Sequence, residues 1–216
     1  MTIGEIKLEA LRISFPDPQL YVDESDTETV SAIISGLKED HNYSDFLAAS
    51  VGSINRALSV MERKGISPLA SRSATIRKDA SSQMRFVDMN AYGSEMLFAE
   101  GVYKIKDGNT VYLPFEDMGN GMLALADAEE NERYIVKYRT KLERISALTP
   151  DDKELSIPDS LASAIPYFIK GDLICSEEPD ASAQAMARFD SLCIDYPRQF
   201  LEHDSVISIY RQEEIT

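Results

Sequence analysis

The chain is poor in the residues that most often carry chemistry. It has 2 cysteines and 2 histidines among 216 residues. Cys175 and Cys193 are too few for a disulfide framework. They lie at unequal distances from the turn expected between them, so two buried thiols is the simpler reading. His41 and His203 each lack a glutamate three residues earlier. The inward Glu-x-x-His pairs of di-iron bundles are therefore missing, and the cysteine spacing fits no zinc site. There is no Gly-x-Ser-x-Gly elbow and no glycine-rich phosphate loop. Asp23-Glu24-Ser25-Asp26 resembles the start of a calcium loop. It lacks the glycine and the bidentate glutamate such a loop needs further on, so it reads as a solvated acidic loop. The sequence thus offers no catalytic, cofactor-binding or metal-binding residues, and no cofactor is expected.

Positive charge is also scarce. There are 22 basic residues against 37 acidic ones, a formal net charge of -15. Phosphate binding runs on Lys and Arg, so this balance argues against wrapping nucleic acid on a positive surface. It leaves room for DNA passing an acidic wall that must not hold it. Basic residues stand beside aromatics at Arg85-Phe86, Tyr103-Lys104 and Arg133-Tyr134. On strands these read as outer-face alternation rather than as a stacking platform. No apolar run reaches the roughly eighteen residues of a membrane span. No basic segment leads into an apolar one near Met1, so no secretory leader is expected and a cytoplasmic site of synthesis fits.

What the chain does have is helical periodicity at both ends and alternation in the middle. The stretch Leu155–Tyr196 organises the reading. Leu161, Ile165, Phe168, Ile169 and Leu173 recur at helical spacing, as do Met186, Phe189, Leu192, Cys193 and Tyr196. Glu177-Glu178-Pro179-Asp180 breaks the pattern between them, because the residue before a proline disfavours the helical region. Two helices joined so closely are expected to pack antiparallel, with Ala181, Ala183, Ala185 and Ala187 permitting close approach. Pro158 suits a first helical turn. Pro166 falls inside the pattern and predicts a kink, or a helix that starts later.

Towards the N-terminus, Thr2-Ile3-Gly4-Glu5 has the spacing of a capping box. A short helix apolar on more than one side follows and ends at Phe15-Pro16. A second short helix carries Val30, Ile33, Ile34 and Leu37. A longer one, capped by Ser44 or Asp45, carries Leu47, Val51, Ile54, Leu58 and Met61 and ends at Gly65. Leu47, Val51, Ile54 and Leu58 are expected to share a core with Leu161, Ile165, Phe168, Ile169, Phe189 and Leu192. From Ser71 the period changes to two. Val102–Lys106 and Thr110–Pro114 flank Asp107-Gly108-Asn109, a hairpin signal. Tyr134, Val136 and Tyr138 alternate along a further strand. After Pro197 the polar tail holds one alternating run, Val206 to Tyr210.

This order of elements resembles the head–tail connector, or adaptor, proteins of tailed bacteriophages. The resemblance rests on Gly4-Glu5-Ile6 opening the first helix and on Ile54-Asn55-Arg56-Ala57-Leu58 in the longer one. It rests also on Tyr134-Ile135-Val136-Lys137-Tyr138 as a late strand. The Leu155-x-Ile157-Pro158 lead-in and the Glu177-Glu178-Pro179-Asp180-Ala181 turn before Phe189 and Tyr196 complete it. The resemblance implies a structural, non-enzymatic virion protein, made in the host cytoplasm and placed in the neck. Such proteins form homo-oligomeric rings, commonly of twelve copies, that dock under the portal protein and meet tail or neck proteins. DNA would pass the lumen without specific binding, and no membrane would be involved. A different virion component or a bacterial adaptor without catalytic activity is the alternative.

The expected fold is α+β: mainly a helical bundle, with an inserted small antiparallel β unit and a C-terminal αα-hairpin. Residues 1–70 and 141–197 would form the helical body, 71–140 the β unit, and 198–216 a C-terminal tail. The β unit is expected to supply contacts through Val102, Tyr103 and Tyr112. The tail is expected to supply Val206, Ile207, Ile209 and Tyr210 by adding as a strand to a neighbour's sheet edge.

Overall fold

The computed structural model describes residues 1–17, 20–21, 30–75, 77–78, 85–92, 96–106, 109–126, 129 and 133–194. Two compact units emerge: a helical unit formed by Met1–Ile66 and the chain from Glu143 onward, and a β unit, Ser67–Leu142.

The helical unit is built around α1 (Ile3–Ser14). Thr2 and Glu5 form the capping box their spacing requires, each side chain accepting from the other's backbone N–H. Ile3, Ile6, Leu8, Ala10 and Leu11 are buried on several sides of α1, so it packs as an interior helix rather than a surface one. α2 (Val30–Glu39) and α3 (Ser44–Arg63) pack on one flank, where Leu8, Leu11, Ile34, Tyr43 and Leu47 form a cluster. α3 starts at Ser44 without the side-chain cap expected of Ser44 or Asp45; Tyr43 holds the cap position. It ends where Gly65 adopts φ +75°, a left-handed turn that a side chain would strain.

Pro158 precedes a single turn, α4 (Asp159–Ala162), and a new helix, α5 (Ile165–Leu173), then begins with Pro166 in its first turn. A proline there lacks only an N–H that would have no helical acceptor. α6 (Pro179–Ile194) lies against α5, with Phe168 and Phe189 meeting edge to face at 5.0 Å. The close approach is made by Ser182, whose Oγ donates to the Gly171 carbonyl at 2.6 Å, and by buried Ala185. Ala183 and Ala187 are exposed instead. Leu161, Ile165, Phe168, Ile169 and Phe189 are buried, as are Leu47, Ile54 and Leu58; Leu192 and Val51 are only half-buried. Cys193 is buried but Cys175 is exposed, which corrects the reading of two buried thiols.

The β unit overturns the expectation of a mainly helical bundle with a small β insert. Among the described residues, eight strands form two antiparallel sheets. They are β1 (Leu69–Thr75), β2 (Arg77–Lys78), β3 (Arg85–Asp88), β4 (Met96–Lys106), β5 (Asn109–Leu113), β6 (Phe115–Asp117), β7 (Met122–Leu125) and β8 (Arg133–Thr140). The first sheet runs β1-β8-β4-β5 and the second β2-β3-β7-β6. Their inner faces enclose a core of their own. Val102, Tyr134, Val136 and Tyr138 of the first sheet share a core with Val87, Leu123 and Leu125 of the second and with Met89 just after β3. The physical reason is the alternation of β8: three large inward side chains must be covered by a second layer. The chain is thus an α+β protein in which a two-sheet unit carries as real a core as the helices do.

Candidate functional site

Polar side chains inside the helical unit serve as fasteners. Asp151 is buried and takes Lys7 Nζ at 2.7 Å on one oxygen and Lys38 Nζ at 2.6 Å on the other. Its backbone carbonyl accepts the Gly4 N–H at 2.7 Å, and the Lys153 carbonyl accepts the Ile3 N–H at 2.9 Å. The segment following Pro150 therefore occupies the donor end of α1. Burial alone would push the Asp151 carboxyl up. Hydrogen bonds from Lys38 and Lys7 outweigh it, and the carboxyl titrates below its ordinary value of 3.8.

The Asn55-Arg56 pair that stood in the resemblance is likewise structural. Asn55 exchanges hydrogen bonds with the Ile145 backbone, donating from Nδ2 at 2.8 Å and accepting at 3.0 Å. Arg56 and Ser53 both donate to Asp172 on α5. Arg144 Nη2 reaches Glu62 at 2.6 Å. An open groove of about 810 Å³ in the same unit is lined by residues including Glu5, Glu9, Arg12, Tyr167 and Arg188. Both charge signs line it. Arg12 lies over the Tyr21 ring at 5.6 Å and Arg188 over the Tyr167 ring at 6.0 Å. Cys193 is held as a thiol, because burial pushes it up to about 11. Among the described residues no cluster of three or more His, Cys, Asp or Glu could hold a metal. Among the same residues, no helix is long and apolar enough to cross a membrane.

The arrangement best suited to contact another molecule is the outer face of the first sheet. The register decides which residues share it. Tyr103 pairs with Ile135 and Tyr112, Ile105 with Thr110, and Leu69 with Arg139. These point away from the core that their strand neighbours Val102, Val136 and Ala74 enter. Leu69, Ile105 and Tyr112 are 41%, 48% and 53% exposed, large apolar groups on one face. Tyr103 and Tyr112 meet edge to face at 5.8 Å. A Cβ on Gly101 would lie 2.7 Å from the Tyr103 ring, so glycine lets the ring lie flat across the strand. Lys137 Nζ stands 5.3 Å from the centre of that ring. Arg139 pairs with Glu100 and donates to the Ser67 carbonyl at 2.7 Å, and Arg133 is exposed at the strand's start.

The residues expected to make contacts are therefore dispersed. Tyr112 is on this face and exposed; Tyr103 is on it and half-buried. Val102 is fully buried in the core of the β unit and leaves no side chain for a partner. The Asp107-Gly108 pair and Val206, Ile207, Ile209 and Tyr210 lie outside the described residues. Leu69, Ile105 and Lys137 were not among the contact residues expected from the sequence. Their only signal was parity: each stands at odd register beside an inward apolar neighbour.

Compared with known proteins, the chain matches no family model and no curated protein.

Proposed function

We propose that the chain is a structural virion protein: a subunit of a homo-oligomeric ring in the neck of a tailed bacteriophage. In this reading it docks under the portal protein and links the DNA-filled head to the tail, without catalysis. The observation that supports the reading is the outer face of the first sheet. It presents Ile105 and Tyr112 to solvent beside the half-buried Tyr103, with Leu69 exposed at the opposite edge of the same sheet. Exposed apolar groups that adjoin one another, as Ile105, Tyr112 and the Tyr103 ring do, mark a contact surface. The polar side chains named inside the helical unit are engaged in holding helices, which suits a rigid assembly part. The excess of acidic residues suits a lumen that repels phosphates and lets DNA slide. The order of elements along the chain, which resembles the connector family, supplies the particular place in the particle.

The reading is tested by adding the purified protein to DNA-filled, portal-bearing heads that lack a connector. Retention of the DNA and recovery of joined particles on adding tails is the expected result. Heads that neither bind the protein nor gain tails would contradict it.

A further inference from the structure

The two units differ sharply in charge. Ser67–Leu142 holds 10 of the 22 basic residues but only 11 of the 37 acidic ones. Almost all of the net charge of -15 therefore lies in the rest of the chain. On the outer face of the first sheet the bias goes further: Arg133, Lys137 and Arg139 stand against Glu100 alone among the described residues of that face. In the helical unit, Glu177 and Glu178 before α6 and Asp180 in its first turn are exposed together, and Asp152 and Glu154 are exposed beside α1. One copy thus carries a weakly basic face with an apolar patch on one unit and exposed carboxylates on the other.

We infer that this sheet face is the contact through which one copy binds the acidic helical unit of a second copy, head to tail. The inference rests on the assembly reading above and names its surface. Two such faces pressed together would set Arg133, Lys137 and Arg139 against their own kind, so a symmetric face-to-face pairing is disfavoured. A face that meets a different surface on the next copy makes a heterologous contact. Such a contact leaves each copy with one free face and one free partner surface, so it propagates and closes into a ring when the rotation permits. Ile105 and Tyr112, with Tyr103 and Ile135 beside them in the register, supply burial, and the neighbouring Arg133 and Lys137 supply orientation and steering. Single-stranded nucleic acid is the less suited ligand. The Tyr103 ring lies against Gly101, has Lys137 beside it and packs edge to face with Tyr112, so it is not itself an open stacking platform.

The test uses the full chain and its Tyr112→Glu/Lys137→Glu variant, with Ile105→Glu as a second variant should the double change disturb folding. Circular dichroism and melting temperature establish that each variant is folded. Mass measurement across concentration is expected to show association of the wild type, weakened as salt rises from about 0.1 M to about 1 M. The variants should associate at least about tenfold more weakly. Doping wild type with a variant is expected to shorten the assemblies, because the variant still offers its acidic unit and blocks growth at its altered face. Variants that assemble like the wild type overturn the surface while leaving the assembly reading in place. Doping without effect overturns the head-to-tail arrangement. A wild type that stays monomeric overturns both. A labelled single-stranded oligonucleotide bound by the wild type and released by the variants would overturn the inference in favour of nucleic acid.

Discussion

Asp151 is the residue on which the N-terminal helix hangs. It holds two lysines through its side chain and the Gly4 N–H through its backbone. Lys7 is 4% exposed, so removing its partner strands a cation away from water. Asp151→Asn is expected to destabilise the fold by about 3–5 kcal/mol, read by chemical denaturation. The pH dependence follows from the direction of the shift. A carboxyl whose folded value lies below its ordinary 3.8 contributes stability above that ordinary value. The contribution is lost as the pH falls through the depressed folded value. The wild type should therefore lose stability on acidification below about pH 4 more steeply than Asp151→Asn does. Parallel curves would show that Asp151 contributes nothing through its charge. None of this was legible in the sequence. Asp151 stands in a polar, turn-rich stretch that reads as a surface linker, and only the tertiary fold brings Lys7 and Lys38 to it. The capping box of Thr2 and Glu5 was legible, because a cap is written within four consecutive residues.

The helices show the same division between local and distant information. α3 and α6 are visible from periodicity, and the break around Pro166 from the proline. α5 begins afresh at Ile165, so Pro166 fits its place and its removal frees mainly the unfolded chain. Pro166→Ala should lower stability by about 0.4–1 kcal/mol. A higher melting temperature would mean that the proline is only tolerated. Phe189 is buried against Phe168, and Phe189→Ala should cost about 3–5 kcal/mol by denaturant titration. A melt unchanged by that substitution would remove α6 from the core. The strands were harder to read. β1 offers the core only the small Ala70 and Ala74, and β7 is a run of four residues between turns, so neither announces a sheet by itself. Their role comes from pairing with β8 and β3, which are far along the chain from them. A small insert was therefore expected where a two-sheet unit stands. The parity that puts Tyr112 outward and Val102 inward is set by the same pairing. Of the contact residues expected from the sequence, one consequently fell in the core.

The whole molecule joins a strongly acidic helical unit to a nearly neutral β unit. The ring proposed for it requires that it work as one copy among many rather than alone. The most direct measurement is the mass of the full-length protein in solution, followed from dilute to concentrated at moderate salt. A ring subunit of this kind should give a species of fixed, multiple-copy mass that appears with rising concentration and dissolves in high salt. A single-copy mass at every concentration, in a sample whose circular dichroism shows it folded, would contradict it.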